Sequence, residues 1–77
     1  MLLKDCWTKG RMDSRVPNQK RTREETAHAC QSRCVDVVEC SYFTYWNFDR
    51  GCELSTRDAK KVVDEKAVSG PAFCTKQ

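Results

Sequence analysis

No stretch of this 77-residue chain comes near the run of about 20 apolar residues that a membrane-spanning helix needs. The opening Met1-Leu2-Leu3-Lys4 is also too short for the apolar region of a signal peptide. Catalytic equipment is scarce. His28 is the single histidine and has no carboxylate or serine partner in a motif, so a surface or packing role is expected for it. A glycine-rich phosphate loop, a nucleophile elbow and a zinc-protease motif are missing, as is the acidic spacing of an EF-hand. These gaps argue against an enzyme, and they imply no metal or cofactor. Neither Asn18 nor Asn47 opens an Asn-x-Ser/Thr glycosylation site. No nucleic-acid motif occurs, and nucleic acid is not an expected partner. Internal repeats and low-complexity tracts are also absent.

Cysteine is what the chain has in excess. Six lie at positions 6, 30, 34, 40, 52 and 74, from near the first residue to near the last. A chain this short buries too little apolar surface to be comfortably stable through core packing alone. Three disulfides would supply the missing constraint, and they imply an oxidising compartment outside the cytosol. Zinc would call for two close ligand pairs, but Cys30 and Cys34 form the only tight pair, and His28 stands at an awkward spacing beside them. No redox Cys-x-x-Cys motif is present. The cystine-stabilised αβ scaffold of defensins and scorpion toxins also spaces two helix cysteines this way. That scaffold needs a Cys-x-Cys pair on a strand, which this chain lacks.

The length allows one small domain, residues 1–77, expected to be a single module cut from a larger secreted or surface protein, with tandem repeats of it a possibility. The charged fraction of 32 % and the apolar fraction of 39 % suit an extracellular module with a thin core. The net charge of +3 is unevenly placed. Residues 1–23 hold seven basic groups against Asp5 and Asp13, whereas residues 24–77 hold seven basic against nine acidic groups. A basic N-terminal third attracts sulfated glycans or an acidic partner. The competing reading is a solvated surface loop.

Along the chain, residues 6–22 read as a short strand followed by an irregular loop, with Gly10, Asp13-Ser14 and Pro17-Asn18 as turn formers. Thr22-Arg23-Glu24-Glu25 has the form of a capping box and predicts a helix from about Arg23 to Cys34. On that helix Ala27, Cys30 and Cys34 fall at i, i+3 and i+7 and share one face. Residues 41–48 carry five of the seven aromatic residues and read as a strand. Asp49-Arg50-Gly51 is the expected turn, and residues 52–54 return as a second strand of a hairpin. Residues 55–66 read as a polar loop with a short strand or turn, and residues 67–73 as a turn and closing strand.

Six cysteines permit fifteen pairings, and arithmetic alone does not choose among them. Helix geometry narrows the choice. Cys34 ends the helix and Cys40 opens the strand after five residues, so a Cys34–Cys40 bridge would pin that corner. Cys30 could then reach Cys52 across the helix–sheet interface, and Cys6 and Cys74 remain to tie the ends together. On the chain-entropy account that longest loop contributes on the order of 4 kcal/mol.

The ordered combination of these elements resembles the PAN/apple domains. The matching elements are a first cysteine near the N-terminus and a helix bearing Cys30 and Cys34. Cys40 then precedes Phe43-Thr44-Tyr45, Cys52 precedes Leu54, and Ser69-Gly70-Pro71 lies before Cys74. The resemblance spans essentially the whole chain. Departures are the aromatic extension through Trp46 and Phe48 and the basic stretch before the helix. The resemblance implies an α+β module with a five-stranded antiparallel sheet crossed by one α-helix, and three nested disulfides, Cys6–Cys74, Cys30–Cys52 and Cys34–Cys40. It implies a non-catalytic extracellular module that binds a protein or carbohydrate. In its compactness and its Phe-Thr-Tyr segment the chain looks most like the modules of apicomplexan micronemal adhesins. That places it in a secretory organelle before release and gives it a host or cell-surface protein or glycan receptor. The alternative is an assembly module that binds neighbouring modules or a secreted partner, as in plasma zymogens. A small secreted effector with toxin-like action is a third.

Alternation places Phe43 and Tyr45 on one strand face, where the family has core positions beneath the helix. It places Tyr42, Trp46 and Phe48 on the other face. Flat aromatic faces suit sugar or protein contacts, so Tyr42 and Trp46 are candidate binding residues, against the alternative that loops cover them. Lys20, Arg21 and Arg23 border the helix start and are candidate ligands for sulfate or carboxylate groups.

Overall fold

The structure, a computed structural model, describes residues 6–73. In chain order the elements are β1 (Thr8–Lys9), β2 (Arg11–Met12), β3 (Thr22–Arg23), α1 (Ala27–Asp36), β4 (Tyr42–Trp46), β5 (Gly51–Ser55), β6 (Lys61–Val62) and β7 (Ala67–Pro71). An antiparallel five-stranded sheet has the order β1-β7-β4-β5-β3, and β2 pairs with β6 in a separate two-stranded ribbon. The expected α+β architecture of five strands crossed by one helix is the one observed.

The sheet centres on β4 because that strand carries bulky side chains on both faces. Phe43 is fully buried and Tyr45 nearly so, and both lie in the core beneath α1. Their cross-strand neighbours Leu54 and Cys52 complete that face. Val16, Cys34, Cys40 and Ala72 join the same cluster, with Trp7, Ala27, Val37 and Val68 packed around it. The helix contributes little apolar bulk. It is held by its cysteines, which are buried as the i, i+4 spacing requires. Cys30 is bonded to Cys52, and Cys34 to Cys40. These two pairs agree with expectation and leave those four cysteines no role as zinc ligands. The third expected bridge, Cys6–Cys74, involves Cys74, which lies outside the described residues.

The opposite face of the sheet is covered as well. The Met12 amide donates to Thr44 Oγ1 (2.9 Å), and Ser55 Oγ donates to the Met12 carbonyl (3.5 Å). The β2–β6 ribbon therefore lies across β4. No described helix is long and apolar enough to cross a membrane.

The helix begins later than the capping box predicts. Its N-cap is Thr26, whose hydroxyl accepts from the Ala29 amide (3.0 Å). Thr22 and Arg23 are instead paired in the sheet with Cys52 and Gly51. Beyond them the Glu24 amide donates to the Arg50 carbonyl (2.9 Å), and the Tyr45 hydroxyl donates to the Glu24 carbonyl (3.0 Å). A local capping box competes here with ladder bonds from a strand 30 residues downstream, and the ladder wins. The Thr22 hydroxyl donates to the Glu24 carboxylate rather than receiving the Glu25 amide. The hairpin turn also shifts: residues 47–50 form it, and Gly51 already belongs to β5.

Candidate recognition surface

Of the two readings of the outer aromatic face, the one in which other segments cover it holds for Trp46. Trp46 is only 7 % exposed. Its indole N–H donates to Asp64 Oδ2 (3.0 Å), and the Arg21 guanidinium lies 4.5 Å from the ring centroid. The β2–β6 side and the segment before β3 thus enclose the ring. Alternation does assign Trp46 to the face away from the helix. In a small domain that face is also a second core, which strand period alone does not reveal. Tyr42 is half-buried at the start of β4, between Ser55 and Pro71. Phe48, on the same side by alternation, has left the strand for the hairpin turn and is 67 % exposed.

Arg21 reaches Trp46 through a notch. A Cβ on Gly51 would stand 2.1 Å from Arg21 Nη2, so only glycine leaves room for the guanidinium there. Arg21 also bonds Asp49 Oδ2 (2.6 Å) and approaches Glu53 Oε2 (3.5 Å). Asp49 in turn accepts the Gly51 amide (2.9 Å), so the turn, the notch and the arginine fix one another. Arg21 is therefore largely committed to holding the fold. Lys20 and Arg23 are exposed, and among the described residues neither forms a salt bridge. The Lys20 carbonyl accepts from Arg33 Nη2 (2.8 Å), which also donates to Gln19 Oε1 (3.2 Å) and so ties the basic segment to the last turn of α1.

Asp64 is the one described group whose acidity is clearly displaced. The hydrogen bond from the Trp46 indole holds its carboxyl below the usual carboxylate range, with the Lys66 amide next in weight; partial burial opposes them, and the charges of Arg11 and Lys66 add smaller contributions in the same sense as the hydrogen bonds.

Two features of the surface were not singled out from sequence. Arg15, 56 % exposed in its side chain, stands 3.9 Å from Glu53 and shares that carboxylate with Arg21. Phe48 projects from the turn with Lys66 beside its ring, 5.6 Å from the centroid. The basic segment offered a signal for the first, since Arg15 belongs to the same run of cations. For the second no local signal distinguishes Phe48 from the strand aromatics before it.

A family model described as PAN domain matches residues 8–74, a span that includes the helix with its two cysteines, their bridges to Cys52 and Cys40, and the β4 core beneath them. The chain belongs to the PAN domain family. No curated protein matches it. PAN domains are protein- and carbohydrate-binding modules, non-catalytic as a rule. The stapled structure and the cysteine pairs of this PAN module suit a secreted or extracellular setting. Among the described residues no group of three or more His, Cys, Asp or Glu side chains could hold a metal ion. With both faces of β4 covered, the surface left exposed is the sheet edge, the hairpin tip and the loops.

Proposed function

We propose that this PAN module is a non-catalytic attachment module that recognises a protein or carbohydrate on a host or cell surface, as one unit of a micronemal adhesin. The observation that carries this reading is the family match over residues 8–74 on a rigid, cross-linked scaffold whose uncompensated cations Lys20 and Arg23 face solvent. A scaffold already ordered loses little entropy on binding, and tandem copies turn weak single-site affinity into avidity. The compact form and the Phe43-Thr44-Tyr45 segment after Cys40 support the micronemal assignment. Of the candidate residues, Lys20, Arg21 and Arg23 lie together ahead of the helix with Trp46 beneath Arg21, whereas Tyr42 lies at the other end of β4, between Ser55 and Pro71. The decisive experiment is a glycan array together with cell-surface binding of the refolded module, comparing wild type with Lys20→Ala/Arg23→Ala. Saturable binding weakened in the variant supports attachment. Binding to no glycan and no cell surface sinks it.

Phe48 favours a second reading, assembly with a neighbouring module or a secreted protein. An exposed aromatic side chain on a fixed turn is a typical protein-contact anchor. Loss of a co-purifying secreted partner on Phe48→Asp, with glycan binding absent, would select assembly.

A further inference from the structure

The outer edge of β5 carries a row of arginines. Arg15 bridges to Ser55, Thr22 pairs with Cys52, and Arg23 pairs with Gly51. Continuing the β3–β5 register by one residue sets Arg21 opposite Glu53. Three arginines thus stand at alternate positions along one strand, on the face that carries Glu53. At about 6.7 Å per two residues the row extends about 13 Å. The ion-pair geometry agrees, because Arg15 and Arg21 approach the same Glu53 carboxylate at 3.9 and 3.5 Å. Lys20 adds a fourth cation beside the row. Glu53 and Asp49 are the carboxylates set against these four groups. Next to the row, residues 15–21 line an open groove of about 460 Å³ that adds the Asn18 and Gln19 amides.

We infer that this arginine row is a binding site for a linear sulfated glycan. The inference deepens the attachment reading and rests on it. Three observations select that ligand class. Charge exceeds its local compensation, and the Arg15–Glu53 contact is long and solvent-exposed, so a better-placed oxyanion can replace it. None of the exposed large apolar side chains among the described residues lies within residues 15–23, so a partner gains charge contacts here rather than apolar burial. The edge of β5 is already occupied by Arg15 and β3, and β3 is only two residues long, which leaves an acidic peptide little backbone to pair with. What remains is a run of exposed cations, Arg15, Lys20 and Arg23, around the fold-bound Arg21, suited to a chain that repeats anions along its length.

The test is calorimetric titration of the refolded module with a heparin octasaccharide, a desulfated octasaccharide and hexaglutamate, at about 0.05 M and about 0.15 M salt. Arg15→Ala/Arg23→Ala is the variant, because Arg21 supports the fold. Its melting temperature should match wild type. The expected result is saturable binding of the sulfated chain that weakens at least tenfold in the variant. The slope of log affinity against log salt should fall by roughly two counterions. Equal binding by the variant, equal binding of the desulfated chain, or tighter binding of hexaglutamate overturns the inference. Unchanged cell-surface attachment by this variant would overturn the arginine row while leaving attachment standing. If the wild-type module attaches to no cell, array glycan or octasaccharide, both fail.

Discussion

The guanidinium of Arg21 lies 4.5 Å over the ring of Trp46, in space that exists only because residue 51 has no side chain. The contact joins the basic segment to the central strand and converts a candidate ligand pair into part of the scaffold. It follows that Trp46→Ala reports on folding before it reports on binding. Removing this buried ring should cost about 3–5 kcal/mol, a large share of the stability of a small domain. Urea unfolding followed by Trp7 fluorescence would measure it. A wild-type midpoint in the variant would contradict the enclosure.

Gly51→Ala and Arg21→Ala should act through one contact. The atom that an added Cβ meets is the far end of a flexible arginine, so the chain can fold with that guanidinium displaced. Each single change should cost about 1 kcal/mol, and the double variant should cost no more than the worse single one. Chemical denaturation of the four proteins forms the cycle. Simple additivity would show that Gly51 matters for another reason.

Thr26, not Thr22, caps the helix. Thr26→Ala should lower stability by about 1 kcal/mol, because the Ala29 amide loses its acceptor. Glu25→Ala, the change that would break the predicted capping box, should cost far less, since Glu25 is exposed and its Arg50 contact is a surface pair. Thermal melts followed by circular dichroism at 222 nm would rank the two, and the reverse order would restore the box.

The two described disulfides should differ in worth. Cys30–Cys52 closes 22 residues and Cys34–Cys40 closes 6. On the chain-entropy account their replacement by serine pairs costs about 3 and about 2 kcal/mol. The first also opens the helix–sheet interface, where both sulfurs are fully buried, so its measured cost should exceed the entropic figure. Equilibrium unfolding of each double variant decides the order.

Acid should loosen the Trp46 enclosure through Asp64. Because its folded-state pKa is depressed, the stabilisation is present above the unfolded value near 3.9 and is lost as pH falls through the lower folded value. Asp64→Asn should therefore flatten the decline of the melting temperature between about pH 5 and about pH 2 relative to wild type. An identical pH profile in the variant would show that Asp64 carries none of it.

The helix face was legible because Cys30 and Cys34 lie four apart, and the core strand because aromatic residues alternate through Phe43 and Tyr45. The return strand was legible as residues 52–54, one residue short at each end, with Gly51 assigned to the turn. The helix start was misread because Thr22-x-x-Glu25 satisfies a local motif, while the residue opposite Thr22 is Cys52, invisible in any short window. Trp46 was left between two readings for a related reason: alternation assigns a side chain to a face but does not say whether that face is wet. Arg21 looked free until Gly51 and Asp49 came beside it.

Composition and spacing by themselves determined a small cysteine-stapled module with one helix, two inward-facing helix cysteines and an aromatic strand after it, since cysteine count and residue periodicity are local properties of the chain. The α+β sheet architecture was implied by the family resemblance. Only the tertiary structure decided which arginines hold the domain together and which face solvent. That division depends on neighbours 28 to 40 residues away in sequence, Asp49, Glu53 and Ser55 among them, brought within a few ångströms by strand pairing.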